Sequence, residues 1–248
     1  QTFSPRPSIN ISPSSQPTYP YSLRPNRKTS GYTNACIHIT HNELCNTVLD
    51  ADSGKMMEYR HLVQKHPKIW STSMANEFGR LLQGVGTRMP TGSNTMKFIP
   101  KSSIPIDKIV TYARIVCNYR PLKSEPNRTR LTVGGDRLMC SHETSTDAAD
   151  LILIKLFFNS ILSTKNTKFI SADIKDFFLA NNPLLHPEFM RINKKFVPKE
   201  IIDQYNLRPL IHNDWLYIKI MKGMYGLKQA GYIANQNLKT HLHKYGYS

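Results

Sequence analysis

Two β-like runs, separated by a short polar segment, constrain the fold of this chain most. They are Lys108–Tyr119 and Arg130–Val133. An Arg-Pro pair ends the first run and a Gly-Gly pair follows the second, so a turn lies between them and another lies after them. The pattern predicts an antiparallel hairpin.

The charge of the chain is strongly positive and unevenly distributed. Its 33 basic and 17 acidic residues give a formal net charge of +16. The segment Lys97–Arg137, which contains the predicted hairpin, holds nine basic and three acidic residues, and Trp215–Ser248 holds five lysines and no acid. Such a charge indicates a polyanionic partner, most often nucleic acid, although a generally basic soluble protein has the same composition. The hydrophobic content of 40% is sufficient for a packed core.

The remaining pattern is a mixture of helices and strands. Apolar residues at helical spacing predict a helix in Ile69–Leu82, and Gly84 and Gly86 end it. The other predicted elements are a strand at Met96–Ile99, a long apolar helix at Asp147–Leu162 with Thr146 or Asp147 as N-cap, a strand at Phe169–Ala172, a loop containing Pro183, Pro187 and Pro198 with a short helix near Ile201, a strand at Trp215–Ile220, and a final helix at about Gln229–Lys244.

The N-terminal segment differs from the rest of the chain. Residues 1–34 are rich in Pro, Ser, Thr and Asn, which predicts a disordered linker, and residues 35–59 form a lead-in segment. A group of Cys36, His38, His41 and Cys45 has zinc-ligand residue types, but its spacing fits no common zinc site. Four cysteines in a chain of this length do not form a disulfide framework, so a reducing, intracellular compartment is expected, in a cytoplasmic particle or the nucleus. No apolar run approaches the length that spans a bilayer.

An acidic residue, Asp173, follows the short apolar run that begins at Lys168. A carboxylate at the exit of a buried strand is suited to holding a divalent cation against a phosphate. The aromatic Phe178 follows five residues later and would shape the adjacent pocket. Taken alone, this signal favours the commoner role of a strand-end aspartate, which is to cap the next helix.

Four motifs, in this order, resemble the reverse transcriptase of copia-type retrotransposons. The helix Trp70–Leu82 resembles the one that opens that domain, and TYARIVCNYRP resembles its fingers strand. ISADIKDFFLANNPL is similar to its first catalytic motif, and MYGLKQAG to its LYGLKQ signature, the most specific of the four. The resemblance covers roughly residues 60–248.

The resemblance implies roles for six residues. Asp173 would be the first metal-binding carboxylate, with the Ile174 carbonyl completing the shell of that Mg²⁺ ion. Phe178 would be the steric gate beneath the sugar, and Gln229 would line the nucleotide pocket. Arg114 would hold the nucleotide phosphates and Lys108 would reach the γ-phosphate. Each has a structural alternative: a solvated strand face for Arg114 and Lys108, simple core for Phe178, and a helix N-cap neighbour for Gln229.

The chain also departs from that family. The second half of its catalytic centre, a hairpin with two adjacent aspartates, has no counterpart, because the sequence contains no Asp-Asp pair. Two cations cannot be held by Asp173 alone. The chain begins with Gln and is expected to be a piece of a longer protein, and on its own it is expected not to polymerise DNA.

The resulting expectation is an α+β fold, an incomplete right-hand polymerase with fingers in residues 60–165 and a partial palm in 166–248. The parent would be an RNA-directed DNA polymerase that acts by two-metal nucleotidyl transfer. Its partners would be template-primer, deoxynucleoside triphosphates and the rest of the polyprotein, with no membrane. The alternatives are a non-catalytic retroelement remnant that at most binds nucleic acid, and a zinc-binding or ribosome-associated protein unrelated to polymerases.

Overall fold

The computed structural model describes residues 47–50, 52–140, 144–146, 149–171, 173–179 and 182–247. The predicted linker and the Cys36–Cys45 group lie outside these residues. The strands are β1 (Val48–Leu49), β2 (Met56–Met57), β3 (Met96–Ile99), β4 (Val110–Tyr119), β5 (Asn127–Val133), β6 (Pro183–Asn193) and β7 (Trp215–Lys222). The helices are α1 (Tyr59–Lys65), α2 (Pro67–Leu81), α3 (Leu151–Ser163), α4 (Lys199–Gln204) and α5 (Ala230–His243).

The fold is α+β, built on one five-stranded mixed sheet. The strand order is β3-β7-β6-β4-β5, and a separate two-stranded ribbon pairs β1 with β2. Strands β4 and β6 run parallel, and every other neighbouring pair in the sheet is antiparallel. The predicted hairpin is confirmed as β4–β5, in which Arg114 lies opposite Thr132 and Val116 opposite Arg130.

Helix α2 supplies much of the core and also covers one edge of the sheet. Trp70, Met74 and Phe78, spaced four residues apart, place one apolar face against the sheet and are buried. The Ser73 hydroxyl accepts the Thr129 N–H at 2.8 Å, and the Glu77 carboxylate accepts the Leu131 N–H at 3.1 Å. The spacings match, because four helical residues advance about 6 Å and two strand residues about 6.8 Å. Two outward N–H groups of the edge strand β5, those of Thr129 and Leu131, are therefore satisfied by a helix.

The loop predicted around Pro183 and Pro187 is wrong, because this segment forms β6, the central strand of the sheet. Both prolines are tolerated there for positional reasons. Pro183 is the first residue of the strand, and Pro187 lies where the pairing with β7 shifts register, between Pro183 and Glu188. Proline is accommodated at strand starts and bulges because it has no N–H to donate to the ladder.

The strand predicted at Phe169–Ala172 is also wrong for residues 169–171, which are irregular; Ala172 lies outside the described residues. Phe169 instead packs against Phe157 and Phe158 of α3, with ring centroids 6.2 and 5.3 Å apart. No described strand pairs with this segment. Isolated extended backbone leaves its polar groups to water, so the apolar run alone does not make a strand.

Helix α3 confirms the predicted apolar helix but begins later than expected. Its N-cap is Asp150, whose carboxylate accepts the Ile152 N–H at 2.7 Å, rather than Thr146 or Asp147. Asp147 itself lies outside the described residues. The predicted helices at α2, α4 and α5 and the strands β3 and β7 are confirmed. Within the described residues, no helix is both long and apolar enough to cross a bilayer.

Candidate nucleotide-binding site

One face of the β4–β5 hairpin carries a column of arginines. Arg114 lies opposite Thr132, and Arg130 and Arg128 lie opposite Val116 and Asn118. These positions are two residues apart along each strand, so the three arginines share one face of the hairpin. Arg120 follows directly after β4. The basic hairpin that the charge pattern predicts is therefore formed, with its guanidinium groups on one side.

Arg114 is exposed and lies beside a small polar cluster at the base of the hairpin. Its Nη2 is 3.4 Å from the Tyr112 hydroxyl, which donates to Asp136 Oδ1 at 2.8 Å. The Arg137 guanidinium lies 5.0 Å from the centroid of the Tyr112 ring. The hydrogen bond from Tyr112, followed by the charges of Arg114 and Arg137, lowers the pKa of Asp136 against the opposing effect of burial. Arg114 thus has donors available beyond this cluster, but a carboxylate nearby reduces the local positive potential.

A shallow cleft of about 230 Å³ opens beside Arg114. An ion pair of 3.1 Å between Arg60 and Glu58 lies at its rim. The cleft is lined by Glu58, Tyr59, Arg60, Ala113, Arg114, Ile115 and Phe196. A mixed polar and apolar lining with guanidinium groups at the mouth is suited to part of an anionic ligand.

Lys108 and Gln229, far apart in sequence, both interact with Glu188 on β6. Burial raises the pKa of Glu188, while the charge of Lys108, the charge of His186 and a hydrogen bond from Gln229 act in the opposite direction. The parallel pairing of β4 with β6 accounts for the approach of Lys108, since it sets Val110, two residues further along, beside Phe189. Two of the predicted nucleotide-binding residues are therefore brought together, around a carboxylate that the sequence reasoning missed.

Phe178 joins the hairpin to the rest of the site through Tyr225. The two rings meet edge to face with centroids 5.5 Å apart, and the Arg130 guanidinium lies 5.6 Å from the Tyr225 centroid. Phe178 is half-buried and packs against the main core. Its position is therefore compatible with both readings that the sequence left open, a packing residue and a pocket wall.

The segment with the LYGLKQ-like signature is held against the end of β5 and the residues after it by hydrogen bonds. The Val133 N–H donates to the Tyr225 carbonyl at 2.8 Å, and Lys228 Nζ donates to the Leu138 carbonyl at 2.8 Å. Gly226 has a φ of +93°, and a Cβ placed there would lie 2.1 Å from the Val133 carbonyl oxygen. Only glycine fits both the dihedral angle and the close approach.

Asp173 and Ile174 are not placed as the sequence predicts. Both are exposed, and Asp173 follows irregular chain rather than a buried strand. Among the described residues no group of three or more His, Cys, Asp or Glu side chains could hold a metal ion.

Sequence reasoning missed four residues that shape this site: Arg130, Asp136, Glu188 and Tyr225. Arg130 could have been found from its alternation with buried β5 residues. Tyr225 lies inside the signature that the resemblance rests on. Glu188 could not, because the two prolines of its strand predict a loop. Comparison with protein-family models, curated proteins and solved structures found no match to this chain.

Proposed function

We propose that this chain contributes the fingers and the first half of the palm of an RNA-directed DNA polymerase similar to copia-type reverse transcriptases. In this role the chain binds template-primer and a deoxynucleoside triphosphate. One observation supports the proposal above all: two motifs that are far apart in the sequence lie in contact. The arginine-bearing β4–β5 hairpin contacts the signature segment 222–231 through Val133, Tyr225 and Gly226.

The proposed roles follow from the chemistry of the side chains. Arg114 offers a planar fork of donors to phosphate oxygens, and Lys108 offers a compact positive charge held near Glu188. Gln229 would fix the edge of the nucleotide, and Phe178 would form a wall beneath its sugar. Asp173 and the Ile174 carbonyl are proposed to bind Mg²⁺ only in the full-length parent, where further carboxylates would complete the centre.

An excess of positive charge near the turn of the β4–β5 hairpin favours binding of a nucleic-acid backbone. Arg80 and Arg128 both pair with Glu77 and Glu125. Arg120 and Arg130 add two further charges without further carboxylates in the cluster. Arg120 Nε is buried without a hydrogen-bond partner among the described residues. Burial, followed by the charges of Arg128 and Arg130, lowers the pKa of Arg120. A phosphate group bound near Arg120 and Arg130 would offset this repulsion.

The test is a fluorescence-anisotropy titration of a labelled RNA–DNA primer-template at several salt concentrations. We expect binding at low salt that weakens steeply as salt rises, because phosphate contacts release counterions. Arg130→Gln should reduce the magnitude of the log–log salt slope by about 0.9, the effect of one lost phosphate contact.

Lys199→Gln is the matched control. It removes the same charge from α4, outside the hairpin face, and its side chain is exposed. The control should leave the slope unchanged. No binding at low salt, or equal losses for both variants, would refute the proposed role of the hairpin.

A non-catalytic nucleic-acid-binding module is the second candidate function. It is favoured by the exposed, strand-free position of Asp173 and by the lack of a metal-ligating group among the described residues. Primer extension in Mg²⁺ by the full-length parent separates the two candidates, because neither expects extension by this chain alone. Extension that Asp173→Asn abolishes supports the polymerase role, whereas duplex binding by the parent without extension supports the binding module.

A further inference from the structure

One edge of strand β4 is bonded to a neighbouring strand for only part of its length. Its parallel partner β6 pairs with residues 110–112, and beyond them no described strand is bonded to that edge. Strand β1 lies close to β4 but is bonded only to β2. Within the described part of the chain, residues 113–119 therefore have β5 as their one strand partner.

The hydrogen bonds to β5 determine which backbone groups point to the free edge. The Tyr112 carbonyl accepts the Gly134 N–H at 2.8 Å, and the Arg120 N–H donates to the Pro126 carbonyl at 2.7 Å. Along an antiparallel pair, residues that bond to the partner strand alternate with residues whose N–H and C=O groups point away from it. The N–H and C=O groups of Ile115 therefore point to the free edge. No backbone group among the described residues is bonded to them.

The cleft of about 230 Å³ borders this edge. Ala113, Arg114 and Ile115 are consecutive residues of β4, and all three line the cleft. Because successive side chains of a strand point to opposite faces of the sheet, a cleft that all three line lies at the edge of the strand. The lining also includes Tyr59 and Phe196, whose rings meet edge to face with centroids 6.2 Å apart. A cavity of roughly 150 Å³ holds a benzene ring, so an apolar side chain of a partner fits here.

The chemistry of the edge favours a peptide over a nucleic acid. N–H donors and C=O acceptors alternate along a strand edge, so a complementary ligand has to supply both acceptors and donors. Phosphate oxygens only accept hydrogen bonds from a protein. A second peptide strand supplies donors and acceptors at the matching spacing, and this is how extended peptides bind to exposed sheet edges.

Charge favours an acidic peptide. Arg60 and Arg114 line the cleft, and Glu58 is the one carboxylate in its lining. The Lys195 ammonium group adds a further positive charge, 4.9 Å from the centroid of the Phe196 ring. The formal net charge of the chain is +16, so a basic segment or a second copy of this chain would be repelled.

We propose that the free edge of β4 is a docking site for an extended acidic segment of a partner protein, which adds to the sheet as a strand. Side chains of that segment alternate between the two faces of the sheet. Those on the same face as Ile115 enter the cleft beside Tyr59 and Phe196 and are apolar. Those on the same face as Arg114 are acidic and pair with its guanidinium group. This docking requires no nucleic acid and does not depend on the proposed polymerase function.

The first experiment is a fluorescence-anisotropy titration of the 248-residue chain with a labelled octapeptide of alternating Glu and Val residues. We expect saturable binding. Methylation of one alternate set of its backbone nitrogens should weaken binding at least about tenfold, because at least two backbone hydrogen bonds are lost, whereas methylation of the other set should not. A peptide with Lys in place of Glu should also bind at least about tenfold more weakly. Absence of binding, or equal effects of the two methylated sets, would refute the added strand.

Amide hydrogen exchange, followed residue by residue with NMR, locates the bound peptide. The Ile115 N–H should exchange at least about tenfold more slowly when the peptide is saturating, because it gains a hydrogen-bond acceptor. The Val116 N–H is the internal control: its residue pairs with Arg130 within the hairpin, so its exchange should change little. Protection of Ile115 by a single-stranded oligonucleotide but not by the peptide would overturn the proposal in favour of a nucleic-acid site.

A charge reversal tests the acidic character of the partner. Arg114→Glu should weaken peptide binding about fivefold to tenfold at about 0.1 M salt, because an attractive cross-strand pair becomes a repulsive one. Arg114 is exposed, so the variant should fold. Lys123→Glu is the matched control. Lys123 is exposed in the turn beyond the end of β4, and Tyr119 alone is about 13 Å along the strand from Ile115, which exceeds the screening length. Equal losses for the two variants would indicate attraction to the whole chain and refute the site.

Discussion

Removal of the Glu77 carboxylate should destabilise this fold and thereby test how helix α2 is attached to strand β5. It is fully buried on α2. It accepts the Leu131 N–H at 3.1 Å and forms ion pairs of 2.9 Å with Arg80 and 3.0 Å with Arg128. One side chain thus satisfies an edge-strand donor and two guanidinium groups that are mostly buried.

The expected cost of Glu77→Gln follows from what is left behind. Removing one member of a buried ion pair typically costs 3–5 kcal/mol. Here Glu125 still pairs with Arg80 at 3.2 Å and with Arg128 at 2.8 Å, so both guanidinium groups keep an ion-pair partner. We therefore expect Glu77→Gln to lower the free energy of unfolding by about 2–3 kcal/mol. Glu77→Ala also orphans the Leu131 N–H and should cost about 1–3 kcal/mol more.

Glu125→Gln is the matched control, because it removes a carboxylate from the same two arginines at a site that is 36% exposed. Solvent screening limits its expected cost to about 0.5–1 kcal/mol. The assay is equilibrium urea unfolding followed by circular dichroism, with the m-value compared across all variants. Equal costs for Glu77→Gln and Glu125→Gln, or a cost below about 1 kcal/mol for Glu77→Gln, would contradict the placement of this carboxylate.

Three further predictions concern the backbone, a thiol and an acid. Gly226→Ala should lower the free energy of unfolding by more than about 2 kcal/mol, because it adds a steric clash to an unfavourable φ. Gly54→Ala is the control: its φ is +65° but the space around it is open, so it should cost about 1 kcal/mol in the same urea assay. Similar costs for the two variants would contradict the close approach of Gly226 to Val133. Burial raises the pKa of the Cys117 thiol to about 12, so a thiol reagent at pH 8 should leave it unmodified in the folded chain, and mass mapping that shows rapid labelling would refute its burial. The hydrogen bond from Lys65 lowers the pKa of Asp50 from 3.8 to about 2; because the folded-state pKa is depressed, its stabilisation is present above pH 4 and is lost as the pH falls towards 2. The difference in urea midpoint between the wild type and Asp50→Asn should therefore shrink over that range, and a constant difference would argue against the contact.

The hairpin and the helices are the parts of the fold that local pattern predicts well. β4 and β5 alternate in polarity around a turn marked by proline, and α2 carries apolar residues at four-residue spacing, so each pattern favours one structure. The apolar composition of α3 likewise predicts a helix, but not its exposure. Exposure depends on what packs against a helix, and local pattern does not contain that information.

Non-local pairing accounts for the failures. The two prolines of β6 predict a loop, but its two neighbours, β4 and β7, stabilise it as a strand. Residues 169–171 have the composition of a buried strand but no described strand beside them, and so they are irregular. The same limit applies to the site. Arg114 could be named from its motif, whereas the approach of Lys108 to Glu188 depends on the parallel pairing of β4 with β6.

The strand order of the sheet also determines when it can form during synthesis. β4 and β5 are neighbours in the chain and can close as a hairpin within microseconds of leaving the ribosome. β3 has to wait for β7, its only partner in the sheet, and β6 pairs with β4 only after the whole of α3 has been made. Such long-range closures are slow, because the loop entropy is lost before the contacts form. The apolar surface of α3 is therefore present in the nascent chain before the sheet is complete, and an incomplete sheet with exposed apolar surface is prone to aggregate.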